Sequence, residues 1–122
     1  ELVGNSVPIV GVSYINVFRA SGMTGQPDGD RRAARGELLF DNYLNPVLRN
    51  TYAQFGAHFV DTTDLAGGEL PDSVKSVLDE YGTVSVGIAR VCTLTYYCSD
   101  NDPHPNRAGH TLIARAVEAA IA

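Results

Sequence analysis

Two short apolar runs in the first half of the chain predict buried strands. The run over 7–14 is rich in β-branched residues and is bounded by polar ones, and the run over 57–62 is centred on Phe59 and Val60. Continuous apolar runs of this length are typical of strands that are covered on both faces, as in parallel sheets. The pattern therefore predicts two strands that run parallel.

Between these runs, apolar positions recur at helical spacing from Glu37 to about Gln54. They are Leu39, Phe40, Tyr43, Leu44, Val47, Leu48 and Tyr52. Pro46 predicts a kink or an early break in this helix, and Gly56 stands where a helix would end. A strand, a long helix and a second strand form a crossover unit, so the predicted fold class is α/β.

The remaining segments are less regular. Glycine and proline recur among polar residues over 19–36 without a sustained period, which predicts a long surface loop. Residues 71–81 predict a short helix with Pro71 in its first turn, and 82–92 fits either extended or helical structure. The chain ends in a predicted helix that Asn106 caps and that carries one apolar stripe. The stripe is Leu112, Ile113, Ala116, Val117, Ala120 and Ile121.

Length and charge narrow the class of protein. The 122 residues, 44% of them hydrophobic, suffice for one small domain with one core. The net charge is −5, and the nine basic residues are scattered apart from the pair Arg31 and Arg32. Nucleic-acid binding usually needs clustered basic residues, so no such partner is expected. No run of about 18 apolar residues occurs, so no transmembrane segment is expected.

Cys92 and Cys98 are the only two cysteines. A turn over the residues between them could join them as a disulfide in an oxidising compartment, or both could be buried free thiols. We expect the disulfide, because the irregular segment between them is one that such a bond would order. A ring this short would contribute only about 2 kcal/mol.

His104 lies in a loop restricted by Pro103 and Pro105, directly before the terminal helix. A nearby carboxylate could bind one ring nitrogen and leave the other free as a general base. The same composition is also typical of a solvated turn histidine, so the loop alone does not define a catalytic group.

The order of residues over 104–110, His-Pro-Asn-x-x-Gly-His after acidic residues, resembles the last block of SGNH (GDSL-type) serine esterases, a lipase and acylhydrolase family. Three other segments, 45–49, 57–61 and 81–92 followed by Cys98, are similar to parts of secreted actinobacterial members. The resemblance implies a three-layer, flavodoxin-like parallel-sheet fold. Residues 1–122 would be its C-terminal portion, with the last two strands and the terminal helices, in an extracellular protein.

In that family a serine attacks the ester carbonyl, a histidine takes the proton of the serine, and a carboxylate orients the histidine. The resemblance makes His104 the base. The family's usual carboxylate position holds Asn101. Family members with an Asp-x-His-Pro arrangement make Asp102 the first choice for the orienting group, and Asp100 is the second. A backbone carbonyl could also orient the ring.

The family's serine block and its oxyanion-hole blocks have no counterpart in this chain. Seven serines are present without a recognisable nucleophile context, namely Ser6, Ser13, Ser21, Ser73, Ser76, Ser85 and Ser99. We therefore expect the missing N-terminal half of the fold, in cis or as a companion chain, to complete a site for an ester or lipid substrate. The alternative is a non-catalytic fragment or a degenerate stand-alone α/β module.

No cofactor is expected. A metal site is less favoured than an esterase site, because Pro103 and Pro105 limit how closely the ligands in this loop can converge. The residues that such a site would use are Asp100, Asp102, His104 and His110. Gly109 is expected to permit close packing of the terminal helix rather than to take part in chemistry.

Overall fold

A computed structural model describes residues 7–122 as a mixture of helix and strand. Strand β1 (Val10–Val12) and strand β2 (His58–Val60) pair in parallel, with Val10 opposite His58 and Val12 opposite Val60. The predicted parallel pair is therefore confirmed, although both strands are shorter than the apolar runs that predicted them. Within residues 7–122 this sheet has two strands, so no three-layer parallel sheet is formed there.

Helices fill the connection between β1 and β2. They are a 3-10 helix (Val17–Thr24), α1 (Gly29–Leu39), a π-helical turn (Phe40–Leu44) and α2 (Asn45–Gln54). The prediction of a surface loop over 19–36 is therefore wrong. Two glycines that suggested turns instead allow helices to touch: a methyl group on Gly29 would lie 2.6 Å from the Ser21 carbonyl oxygen, and one on Gly36 would lie 2.5 Å from the Phe18 Cβ.

The break predicted at Pro46 takes the form of a π turn. Pro46 lies in the first turn of α2 and has no amide hydrogen to donate. In the turn before it, the Asn45 amide donates to the Phe40 carbonyl, five residues back, so the helix widens without ending. The helix stops at Gln54, and Gly56 takes a positive φ of 67°, as predicted for a helix end.

The second half of the chain forms a hairpin and four helices. The prediction of a helix over 71–81 is wrong, because Lys75–Leu78 form a strand in which exposed and half-buried residues alternate. The undecided segment 82–92 contains both structures, a strand followed by a helix that Ser85 caps by accepting from the Ile88 amide at 3.3 Å. The elements are α3 (Thr62–Leu65), β3 (Lys75–Leu78), β4 (Gly82–Ser85), α4 (Val86–Leu94), α5 (Tyr97–Asp100) and α6 (Arg107–Ile121).

The core lies where the 3-10 helix meets α4 and α5. Its centre is Tyr97, whose hydroxyl forms a 2.9 Å hydrogen bond with the fully buried Ser21 hydroxyl. The members of this cluster are Ile15, Val17, Ala20, Ala66, Val91, Tyr97 and Cys98. Helix α2 covers the sheet separately, because Tyr52 stacks on Phe59 with ring centres 5.8 Å apart and approaches Gly11.

The outer side of β1 is only partly covered. Val7, Ile9, Val12 and Tyr14 are exposed, Tyr14 to 76% of its surface. The expected cover on both faces is thus not found within residues 7–122, because Gly11 is buried against Tyr52 whereas Val12, on the opposite face, is exposed.

Helix α6 confirms the prediction of a capped terminal helix. The Gly109 amide donates to the Asn106 side-chain oxygen at 3.0 Å, which caps the helix. The apolar stripe of α6 is half-buried, and Ile121 at its end is exposed. No helix within residues 7–122 has both the length and the apolar character needed to cross a bilayer.

Gly109 gives a test of the packing between α6 and α4. An alanine there would overlap the Leu94 carbonyl oxygen. Alanine normally favours a helix over glycine by about 1 kcal/mol, whereas overpacking costs about 1–3 kcal/mol. We expect Gly109→Ala to lower the free energy of unfolding in urea. The control is Thr111→Ala, at an exposed position of the same helix, which should leave the free energy of unfolding unchanged or raise it slightly. A Gly109→Ala protein more stable than the wild type would show that this close contact is unimportant.

Candidate active site

Backbone hydrogen bonds hold the His104 loop against the end of α4. The Tyr96 amide donates to the His104 carbonyl at 3.1 Å, and the Asn106 amide donates to the Leu94 carbonyl at 2.9 Å. Between these bonds, Thr95 and Pro105 form an isolated β-bridge. The histidine is therefore fixed on both sides to residues 94–96 and does not lie in a free loop.

The predicted disulfide between Cys92 and Cys98 is present, with Cα atoms 5.1 Å apart. It joins the last turns of α4 to α5 and encloses the segment to which the His104 loop is bonded. The bond is compatible with an extracellular protein, because disulfides persist in oxidising compartments. Its effect is local, since it orders the backbone that positions the histidine.

Asp102 is the carboxylate next to the His104 ring. The Asp102 Oδ1 atom lies 2.5 Å from the ring Nδ1 and accepts a 2.9 Å hydrogen bond from the His104 amide. Two hydrogen bonds hold the pKa of Asp102 below its ordinary value. The one from the His104 amide has the larger effect, and the one with the His104 ring comes next. The carboxylate is therefore ionised at neutral pH, so the hydrogen of a neutral ring lies on Nδ1 and Nε2 keeps its lone pair.

Asp100 is not the carboxylate that bonds to the His104 ring. Its carboxylate accepts a 2.7 Å hydrogen bond from the Ser99 hydroxyl. Asn101, between the two aspartates, ends α5 in the left-handed conformation with φ of 54°, which asparagine tolerates better than most residues. Asn101 therefore fills a backbone role, and the carboxylate that reaches the ring comes from the next residue.

The pair is open to solvent. The His104 side chain is 79% exposed and that of Asp102 is 46% exposed. Water screens a charge pair at such a surface, so the arrangement contributes orientation rather than much stability. Within residues 7–122, no group forms a hydrogen bond with the Nε2 atom of the ring.

Within residues 7–122, no serine hydroxyl forms a hydrogen bond with the His104 ring. Ser13 and Ser21 are buried and engage Thr62 and Tyr97, respectively. Ser85 and Ser99 act in local hydrogen bonds, at a helix cap and with Asp100. Ser73 and Ser76 lie just before and within β3, and Ser6 falls outside the described residues.

The residues considered for a metal site are not gathered. Within the described part of the chain, no group of three or more His, Cys, Asp or Glu side chains could hold a metal ion. Asp102 is engaged with His104, and Asp100 with Ser99. His110 is exposed in the first turn of α6.

Sequence reasoning missed a polar stripe along the helices that precede β2. Glu37, Asp41, Asn45 and Arg49 follow one another at intervals of four residues, a spacing that places them along one face. Glu37 pairs with Arg19 at 2.8 Å on one side. The four-residue spacing was visible in the sequence, but the helix was predicted from its apolar positions alone.

A groove of about 360 Å³ lies beside this stripe, bordered by Asp41, Arg49 and Asp61. Arg49 pairs with Asp61 at 2.8 Å. Partial burial and the nearby Glu37 charge raise the pKa of Asp41. Asn45 and Arg49 both donate to Asp61, just after β2, so the stripe attaches the helices to the end of that strand. Within residues 7–122 the buried Asn45 Oδ1 has no hydrogen-bond partner.

Comparisons of the chain with protein-family models, curated proteins and solved structures found no match. The functional assignment consequently rests on the resemblance of residues 104–110 and on the geometry around His104.

The disulfide should stabilise the chain to a small extent. Replacing Cys92 and Cys98 together by alanine is expected to lower the free energy of unfolding by about 2 kcal/mol, because the closed ring is short. Urea unfolding with and without reductant would measure this. The double variant should not respond to reductant, and an unchanged wild-type midpoint in reductant would contradict the prediction.

The Asp102 contacts should make stability depend on pH. Because the pKa of Asp102 is lower in the folded chain than in the unfolded chain, its contribution is present above the ordinary aspartate pKa and is lost as the pH falls through the folded value. The stability difference between the wild type and Asp102→Asn should thus stay constant from about pH 7 to 5 and shrink below about pH 4. Urea unfolding across this range measures it, and a difference that grows on acidification would contradict the assignment.

Proposed function

We propose that this chain supplies the catalytic base and its orienting carboxylate to a secreted carboxylic ester hydrolase of the SGNH (GDSL) type. The observation that carries the proposal is the pairing of His104 Nδ1 with Asp102, while no group within residues 7–122 forms a hydrogen bond with Nε2. The block over 104–110 and the disulfide beside it support the same conclusion.

In this proposal Asp102 fixes the tautomer of the ring. His104 Nε2 takes the proton of the serine hydroxyl as the serine oxygen attacks the ester carbonyl, and then gives that proton to the departing alcohol. Water enters next, and Nε2 takes a proton from it as the water oxygen attacks the acyl carbon. The bond between the acyl carbon and the serine oxygen then breaks, and Nε2 returns the proton to that oxygen, which releases the acid and restores the serine. The N-terminal end of α6 disfavours the transient imidazolium, and the Asp102 charge offsets this effect.

The serine and the oxyanion donors would come from the N-terminal half of the fold, in cis or as a companion chain. The exposed apolar side chains in and beside β1, and the one unpaired edge of this strand within residues 7–122, support such a partner. An apolar strand with an open edge favours pairing with another strand. The substrate class is an ester or lipid, and most of the acyl pocket would belong to that half.

The second candidate is a non-catalytic α/β module. His104 is exposed, and within residues 7–122 no serine hydroxyl forms a hydrogen bond with its ring. Both observations favour this second candidate. The two candidates differ in whether a serine from elsewhere meets Nε2.

Ester hydrolysis by the assembled protein distinguishes them. The chain would be assembled with the polypeptide that supplies the serine block, in cis or as a companion chain, and assayed on short-chain nitrophenyl esters. We expect His104→Ala to lower turnover by roughly four orders of magnitude, and Asp102→Asn by less if a backbone carbonyl shares the orienting role. Asp100→Asn is the matched control and should retain activity.

In this proposal the isolated 122-residue chain should not hydrolyse these esters, because the nucleophilic serine and the oxyanion donors come from the other half of the fold. Loss of one oxyanion donor costs about 3–4 kcal/mol of transition-state stabilisation. Near-wild-type turnover of His104→Ala would remove the assignment. Activity of the isolated chain that a serine-directed inhibitor abolishes would show that one of its own serines is the nucleophile.

A further inference from the structure

A shallow groove of about 600 Å³ runs between the end of α4 and the first half of α6. Its apolar lining, here called the floor, is Leu94, Ala108 and Leu112, of which the two leucines are half-buried. Its rim is the three exposed arginines Arg90, Arg107 and Arg115, and Thr111 completes the lining. Arg107 and Arg115 are eight residues apart on α6, so they lie on the same side of the helix and flank the apolar floor.

The rim is positive in a chain whose net charge is −5. Three of the nine basic residues border this groove, and no carboxylate lines it. The arginine ion pairs formed within residues 7–122 involve Arg19 and Arg49 instead. Arg90 also borders a neighbouring groove with Asp64 and Glu69, so Arg107 and Arg115 carry most of the unbalanced charge.

We propose that this groove docks the protein on an anionic lipid surface. Guanidinium groups bind phosphate oxygens in a bidentate manner, and leucine side chains enter the boundary between head groups and acyl chains. A rim of cations around an apolar floor is complementary to such a surface in both respects. A polyanion such as nucleic acid would complement the rim but not the floor.

The place of the groove gives docking a consequence for the site. Arg107 follows His104 by three residues and begins the helix that the His104 loop enters. A chain docked through α6 would hold the His104 loop next to the lipid. This consequence rests on the proposed ester hydrolysis, and the docking itself does not.

Vesicle cosedimentation tests the proposal on the 122-residue chain. The vesicles contain phosphatidylcholine, with or without phosphatidylglycerol. Each arginine near an anionic surface contributes about fivefold to partitioning, so Arg107→Gln with Arg115→Gln should weaken binding to the anionic vesicles roughly 25-fold. The matched control is Arg31→Gln with Arg35→Gln, which makes the same charge change at exposed positions of α1 and should bind as the wild type does.

Binding should also weaken as salt rises, because the Debye length shortens. Equal loss in the two double variants, equal binding to neutral vesicles, or no binding at all would overturn the proposal. Binding to heparin with the same arginine dependence, but not to vesicles, would overturn it in favour of a polyanionic partner. Because no turnover is measured, failure here leaves the esterase proposal standing, and inactivity in the esterase assay leaves this one standing.

Discussion

The structure of the candidate site depends on Asn106, which bonds two helices to each other. Its amide donates to the Leu94 carbonyl, its side-chain nitrogen donates to the Thr93 carbonyl at 2.8 Å, and its side-chain oxygen caps α6. The carbonyls at the end of α4 and an amide at the start of α6 would otherwise lack partners. One residue therefore provides hydrogen-bond partners at the end of α4 and at the start of α6. This fixes the backbone near His104, two residues before Asn106.

That fixed backbone explains why a carboxylate two residues before the histidine can reach its ring. The Tyr96 amide holds the His104 carbonyl, while the His104 amide turns back to Asp102. A carboxylate that accepts from the amide of a residue is already close to the side chain of that residue. The ring orientation thus follows from a local turn whose backbone is held by residues 94–96 at the end of α4.

The sequence predicted those features whose cause is local. The terminal helix, its Asn106 cap and the disulfide each follow from a periodic pattern or a short spacing, and the parallel pair follows from the order strand, helix, strand. The loop predicted over 19–36 was wrong because Gly29 and Gly36 serve contacts between helices, and a sequence does not distinguish such a glycine from one in a turn. The preference for Asp102 over Asp100 came from the resemblance, whereas Asn101 in its left-handed conformation explains the geometry.

The two faces of β1 differ in how fully their groups are satisfied. Just after its end, Ser13 accepts two buried hydrogen bonds from Thr62, which attaches this end of β1 to the start of α3, just after β2. On the other side, Val12 and Tyr14 meet solvent, and burying apolar surface is worth about 25 cal/mol for each Å². The strand is therefore held in place by polar contacts, while part of its apolar surface remains exposed to solvent. A strand fixed in this way presents a preformed edge, so a partner that paired with it would gain apolar burial without first having to order β1.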